Sequence, residues 1–261
     1  MEQGILLTAL AREATQTVRE AGELARAEFA HPGQGVAKSQ GDVVTPADRR
    51  INRFIIERLE RATPEFAIVS EESPPRKGEG GYAWILDPID GSKHYNQSIP
   101  LYGISLALHR EGSPLLGVVY APSHDDMFCG IPGTGAWRND KPIRRAEPPD
   151  LMEALVCAEL PSRHHADRIS GALKRFEALV RNCQRVRTLG VTSLGMCYCA
   201  AGGFAAYVNL GSAPNALWDR AAGEAVLLAA GCQMVRRPAF AAAAHERLLP
   251  QLVRILDAAG E

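Results

Sequence analysis

The feature that most restricts how this chain can fold is a change in apolar spacing near residue 65. Before it, Leu6, Leu10, Ala14, Val18, Ala21 and Ala25 recur at three- and four-residue steps, with Arg12, Glu13, Arg19, Glu20 and Glu23 around them. That period is the single apolar stripe of an amphipathic helix, which ends near His31-Pro32-Gly33. The polar, Gly-rich GQGVAKSQGDVV that follows reads as an exposed loop or loose hairpin. A second helix is expected to open at Thr45-Pro46-Ala47-Asp48, with Thr45 as N-cap, Pro46 at the first helical position and Asp48 capping in return. Ile51, Phe54, Ile55 and Leu59 supply its buried face. Beyond it come short apolar runs bounded by turns: FAIVS (66–70), YAWILD (82–87), YGISLALH (102–109), LLGVVYAP (115–122) and MFCGI (127–131). These read as a largely antiparallel sheet, with residues 110–114 as the loop of a hairpin.

From about Leu151 strands alternate with helices: ALVCAEL, a helix over 166–180, CQRVRTLG, a helix over 192–201, FAAYVNL, a helix over 219–230, CQMVRR and a last helix near 245–258. Alternation of this kind argues for an α/β layer, so the fold class expected is α/β, layered α+β. The turn-rich stretch from Gly133 to Asp150 is the expected boundary between residues 1–145, two helices and a sheet, and residues 146–261, an α/β part completing one unit.

Composition narrows function by exclusion. With 46% hydrophobic and 23% charged residues over 261 positions, the chain can bury a core and is neither disordered nor fibrous. A formal charge of -1 gives no overall positive field to hold nucleic acid or an acidic membrane. Residues 188–217 carry no charge but are interrupted by Gly190, Gly195, Gly202, Gly203 and Gly211, so they never offer about 20 consecutive apolar residues. A buried helix and strand explain them, and no membrane association is expected. The opening MEQGILLTALAREATQ lacks the pattern of a secretion signal, so a cytoplasmic location is expected. The six cysteines are expected to stay reduced, and the Cys197-x-Cys199 pair has no second pair at zinc spacing.

The chemistry concentrates in Trp84-Ile85-Leu86-Asp87-Pro88-Ile89-Asp90-Gly91-Ser92, where a strand delivers two carboxylates onto a turn built by Pro88 and Gly91. Such carboxylates, helped by the Ile89 carbonyl, suit Mg²⁺, and the N–H groups of Gly91 and Ser92 at the start of a short helix suit phosphate oxygens. The same residues also fit a plain Asx turn closing a strand. Glu71 and Glu72 in SEES fit a solvated strand end, Asp219 in WDRAAG fits a helix-start acid, and Asp48 fits its capping role. Adjacent His164 and His165 cannot form a helical metal pair and read as surface.

Taken in order, GDVVTPAD (41–48), SEES (70–73), WILDPIDGS (84–92) and LWDRAAGEAVLLAAG (217–231) resemble the inositol monophosphatase family, Mg²⁺-dependent phosphatases related to fructose-1,6-bisphosphatase and the lithium-sensitive nucleotidases. The resemblance runs to about residue 235. It implies the sandwich of alternating helix and sheet layers of that family and hydrolysis of a small phosphate monoester by metal-activated water. Glu71, Asp87 and the Ile89 carbonyl would hold one Mg²⁺, and Asp87, Asp90 and Asp219 a second, with up to three ions engaged. Ser92 stands where the family usually has a water-orienting Thr, paired with Asp48. Glu71 is the third residue with an implied catalytic role, facing the most mobile ion. Lys38 matches a family lysine near the site and is read as accessory.

The substrate is implied to meet Asp90, Gly91, Ser92, Gly190, Thr192, Asn209 and Asp219. Here the sequence departs from the family pattern. The usual Gly-Ser-x-Ala turn is Gly190-Val191-Thr192-Ser193, and Asn209 replaces an acid that contacts sugar hydroxyls in inositol-specific members. Lys93 fits nucleotide and histidinol phosphate branches better, and the shortened CQMVRRPAFAAAA predicts a trimmed last strand. Inositol monophosphate is the leading substrate. The alternatives are a 3′(2′),5′-bisphosphate nucleotide, fructose 1,6-bisphosphate or histidinol phosphate, and, from another class, a non-catalytic regulatory binding role. A homodimer and lithium sensitivity are further implications.

Overall fold

In the computed structural model, which describes residues 2–29, 36–37, 43–144, 147–211 and 217–260, the first apolar stripe forms α1 (Glu2–Phe29). Leu10, Ala14, Val18, Ala21 and Ala25 are buried, whereas Leu6 is exposed. A minimal antiparallel pair, β1 (Val36–Ala37) and β2 (Val43–Val44), leads to α2 (Pro46–Ala62). The reciprocal cap is present: the Thr45 N–H donates to Asp48 Oδ2 at 2.7 Å and the Asp48 N–H to Thr45 Oγ1 at 3.3 Å.

An eight-stranded sheet follows, built from β3 (Ala67–Ser70), β4 (Ser73–Arg76), β5 (Tyr82–Asp90), then, after α3 (Ser92–Asn96), β6 (Gly103–Arg110), β7 (Ser113–Ala121), β8 (Asp126–Ile131), β9 (Gly135–Arg138) and β10 (Lys141–Pro142). Its spatial order is β10-β9-β8-β7-β6-β5-β3-β4, antiparallel throughout except for the parallel pair β3 and β5. The expected hairpin is tighter than its five-residue loop: only Glu111 and Gly112 separate β6 from β7, both at positive φ (50° and 80°), the backbone of a two-residue hairpin turn. β9 and β10 lie inside the stretch read as a boundary.

The rest of the chain alternates β11 (Leu155–Glu159), α4 (Ala166–Asn182), β12 (Arg185–Arg187), α5 (Thr192–Ala200), β13 (Ala206–Asn209), α6 (Leu217–Ala229), the hairpin β14 (Gln233–Arg237) and β15 (Phe240–Ala244), and α7 (Leu249–Ala258). The second sheet has the order β12-β11-β13-β15-β14, with β11 parallel to both β12 and β13. The stretch whose shortening suggested a trimmed last strand forms the hairpin of β14 and β15. The five residues of β15 sit between β13 and β14 in unbroken register, closed by a turn at Pro238-Ala239.

Five layers result. Apolar faces of α1 and α2 pack on one side of the large sheet, and α5 and α6 fill the space between its other side and the second sheet. α4 and α7 cover the far face of the second sheet. Gly117 on β7 lets α6 lie directly on the large sheet: a Cβ there would stand 2.2 Å from the Ala222 carbonyl oxygen. No helix among the described residues is long and apolar enough to cross a membrane. The cysteines are free, and Cys197 and Cys199 are buried in α5.

Candidate metal centre

Each sheet contains parallel strands, β3 with β5 in the large sheet and β11 with β12 and β13 in the second, and Glu71, Asp87, Asp90 and Asn209 stand at or just beyond the carboxyl ends of β3, β5 and β13. That is where ligands meet sheets of this kind. Glu71 and Glu72 form the two-residue link from β3 to β4, not a solvated strand end. The Glu71 N–H extends the pairing to the Leu86 carbonyl at 3.2 Å, and the Ser70 hydroxyl donates to Asn52 of α2 at 2.6 Å.

Asp87 and Asp90 close β5, but the turn inferred from Pro88 is a bulge. Asp87 pairs with Ser105 and Asp90 with Gly103, so β5 has one more residue than β6 across this step. Proline is tolerated at a bulge because no ladder N–H is needed from it. Asp87 Oδ1 accepts the Ile89 N–H at 3.0 Å, the Asx contact anticipated as the plain alternative. The chain turns only at Gly91, whose φ of 92° suits glycine, and Ser92 then begins α3.

Asp219 lies in the first turn of α6. The Ser105 hydroxyl donates to the neighbouring Trp218 carbonyl at 3.3 Å, fixing this helix start over the register partner of Asp87. One carboxylate oxygen from each of Glu71, Asp87 and Asp219 lies within 4.8 Å of the others, with Asp87 buried and the outer two half-buried. Three hard oxygen donors in so small a volume fit a divalent cation.

Burial first, and then the charges of Glu71, Asp90, Asp219 and Asp48, hold Asp87 well above the usual carboxylate range. Burial raises Asp90 to about 6, against the hydrogen bond that the Ser193 N–H donates to its Oδ2 at 2.7 Å. Asp48 is likewise raised to about 6 by burial, with Glu72 and Glu71 adding to the rise and the Thr45 cap opposing it. A cation among these groups would relieve the repulsion that burial amplifies.

Residues 188–191 join β12 to α5, and the stretch 189–193 packs against the end of β5. A Cβ on Gly91 would meet Val191 Cγ2 at 2.9 Å, and one on Gly190 would meet His94 Cε1 at 3.0 Å. Thr192 is the first residue of α5. Asn209 ends β13, but its Oδ1 accepts the Gly211 N–H at 3.0 Å, and its side chain lines a small cleft with Arg220, Glu224 and Arg236. Lys38 lies outside the described residues. Sequence reading passed over Glu159, whose carboxylate accepts the N–H groups of Leu189 and Gly190. An acid ending an otherwise apolar strand was its only signal.

A layered α/β chain with this carboxylate cluster has clear relatives. The model of the Inositol monophosphatase family matches residues 6–250, and the chain belongs to that family. It is 33% identical over 197 residues to the inositol-1-monophosphatase of Mesorhizobium japonicum, covering 74% of this chain and 72% of the relative. It is 30% identical over 199 residues to the Nus factor SuhB of Pasteurella multocida, covering 76% and 73%. Among solved structures, the extragenic suppressor protein suhB of Bartonella henselae superposes with a TM-score of 0.88 at 25% identity, over 95% of this chain and 98% of that one.

Proposed function

We propose that the protein is a Mg²⁺-dependent phosphatase of a small polyhydroxylated phosphate monoester, with inositol monophosphate the leading substrate. The observation that carries this reading is the meeting of Glu71, Asp87 and Asp219 oxygens within 4.8 Å, in a chain of this family. Glu71, Asp87, the Ile89 carbonyl, Asp90 and Asp219 would hold two to three Mg²⁺ ions. When bound, Mg²⁺ supplies acidified water and neutralises charge on the phosphate oxygens.

The protein's own groups do the rest in this reading. Ser92, with Asp48, orients the attacking water. The N–H groups of Gly91 and Ser92 hold the phosphate in line, and Gly190, Thr192 and Asn209 face the hydroxyl-bearing part of the substrate. Lys38 is proposed as an accessory cation. The reading also takes the protein to be a cytoplasmic homodimer that binds neither nucleic acid nor membrane.

The test is phosphate release from inositol 1-phosphate, fructose 1,6-bisphosphate, adenosine 3′,5′-bisphosphate and histidinol phosphate, each with Mg²⁺ and with chelator. Mg²⁺-dependent turnover of one compound supports the reading and names the branch. Turnover that persists in chelator contradicts it.

A second reading, a regulatory binding role with little catalysis, draws support from the relatives named Nus factor SuhB at about 30% identity. A macromolecular complex that survives Asp90→Asn in a protein without turnover would favour it.

A further inference from the structure

The segment that carries Gly190 and Thr192 leaves the second sheet after Arg187, and no strand receives the backbone N–H groups of half-buried Leu189 and exposed Gly190. Glu159 receives both. Its Oε1 accepts the Leu189 N–H at 3.3 Å and the Gly190 N–H at 3.1 Å, and its Oε2 also lies 3.1 Å from the Gly190 nitrogen. Glu159 is the last residue of β11, paired in register with Asn209, and the Leu210 N–H donates to its backbone carbonyl at 2.8 Å, so the side chain starts from a fixed point. Burial raises its carboxyl to about 7, with the two N–H groups pulling the other way.

On its opposite side the same segment meets the end of β5. Gly190 lies against His94, Val191 against Gly91, and the Ser193 N–H binds Asp90. Five residues are thus held between a carboxylate of the second sheet and a carboxylate of the first. We propose that Glu159 is a positioning residue, which through the Leu189 and Gly190 N–H groups holds the 189–193 segment at the distance from Asp90 that substrate binding requires. The proposal rests on the phosphatase reading above, because it assigns the segment to the non-reacting part of the substrate. Loosening it should weaken binding while leaving the carboxylate cluster in place.

Three variants separate position from charge. Glu159→Gln keeps an acceptor oxygen at the same reach without charge, Glu159→Asp keeps the charge but withdraws it by one methylene, and Glu159→Ala removes both. On the panel compound that the wild type hydrolyses fastest with Mg²⁺, KM should rise about tenfold in Glu159→Asp and Glu159→Ala, with kcat changed by less than about threefold, and Glu159→Gln should stay within about threefold of wild type in both. Hydrogen exchange at the Leu189 and Gly190 amides should quicken by about tenfold or more in Glu159→Ala. An unchanged KM accompanied by a lower melting temperature would reduce Glu159 to a structural role and overturn the proposal. So would Glu159→Asp outperforming Glu159→Gln, or unaltered amide exchange. Should Glu159→Ala fail to fold, the Gln and Asp variants decide. A wild type that hydrolyses nothing in the panel overturns the substrate role while exchange still reports whether Glu159 holds the segment, so the two failures are told apart.

Discussion

The Ser105 hydroxyl donates to the Trp218 carbonyl at 3.3 Å, and this contact across 113 residues fixes where the first turn of α6 sits on the large sheet. Ser105 is also the register partner of Asp87, so one side chain links the strand acid and the helix acid of the candidate metal centre. The approach of α6 depends equally on what is missing from β7. Gly117→Ala would place a Cβ 2.2 Å from the Ala222 carbonyl oxygen and push the helix outward. We expect a loss of about 1–3 kcal/mol in stability, the usual cost of overpacking, together with weaker Mg²⁺ binding because Asp219 moves with the helix. Denaturant unfolding and Mg²⁺ calorimetry check both.

Asp87 is buried among like charges, so its charge destabilises the protein when no cation is present. Asp87→Asn should melt at or above the wild-type temperature in chelator, yet gain nothing from Mg²⁺. The wild type should gain about 2.7 kcal/mol at a metal concentration 100 times Kd. Thermal melts with and without Mg²⁺ distinguish this from a purely structural role, in which the substitution lowers the melting temperature under both conditions.

Asp48 and Asp90 titrate near 6 in the metal-free protein, against about 4 when unfolded. Between those values the folded state holds more protons than the unfolded state. Their stabilising contribution is therefore complete below about pH 4 and lost as the pH rises through 6. Metal-free protein should melt higher at pH 5.5 than at pH 7.5, less so in Asp48→Asn. Mg²⁺ competes with the same protons, so its affinity should fall as the pH drops below 6. An affinity flat from pH 8 to 5 would contradict the assignment.

Lithium offers a test that needs no variant. A small, hard cation suits the same oxygen donors, so LiCl should inhibit Mg²⁺-dependent turnover where KCl at equal concentration does not. Equal responses would argue against the implied lithium sensitivity.

Local patterns made part of this molecule readable in advance. The Thr45 and Asp48 cap is a matter of four adjacent residues, and the sequence around Asp87 and Asp90 carries its own strand and glycine turn. Features that depend on distant partners were not readable. SPPR gave no strand signal because prolines argue against one, yet β4 is an edge strand and needs fewer ladder N–H groups. FAAAA has little β propensity, but its small side chains fit between the helices on either face of the second sheet, and β13 and β14 supply its pairing. The bulge at Pro88 appears only in the register against β6. Glu159 meets its partners 30 and 31 residues further on, and they are backbone groups that no motif records.

The most direct test of the central claim is turnover by Asp90→Asn. The substitution preserves the shape of Asp90 and an acceptor for the Ser193 N–H, and removes the charge assigned to Mg²⁺. The account predicts that phosphate release from the compound the wild type hydrolyses falls by about a hundredfold or more, with circular dichroism unchanged. A folded Asp90→Asn protein with wild-type turnover would contradict it.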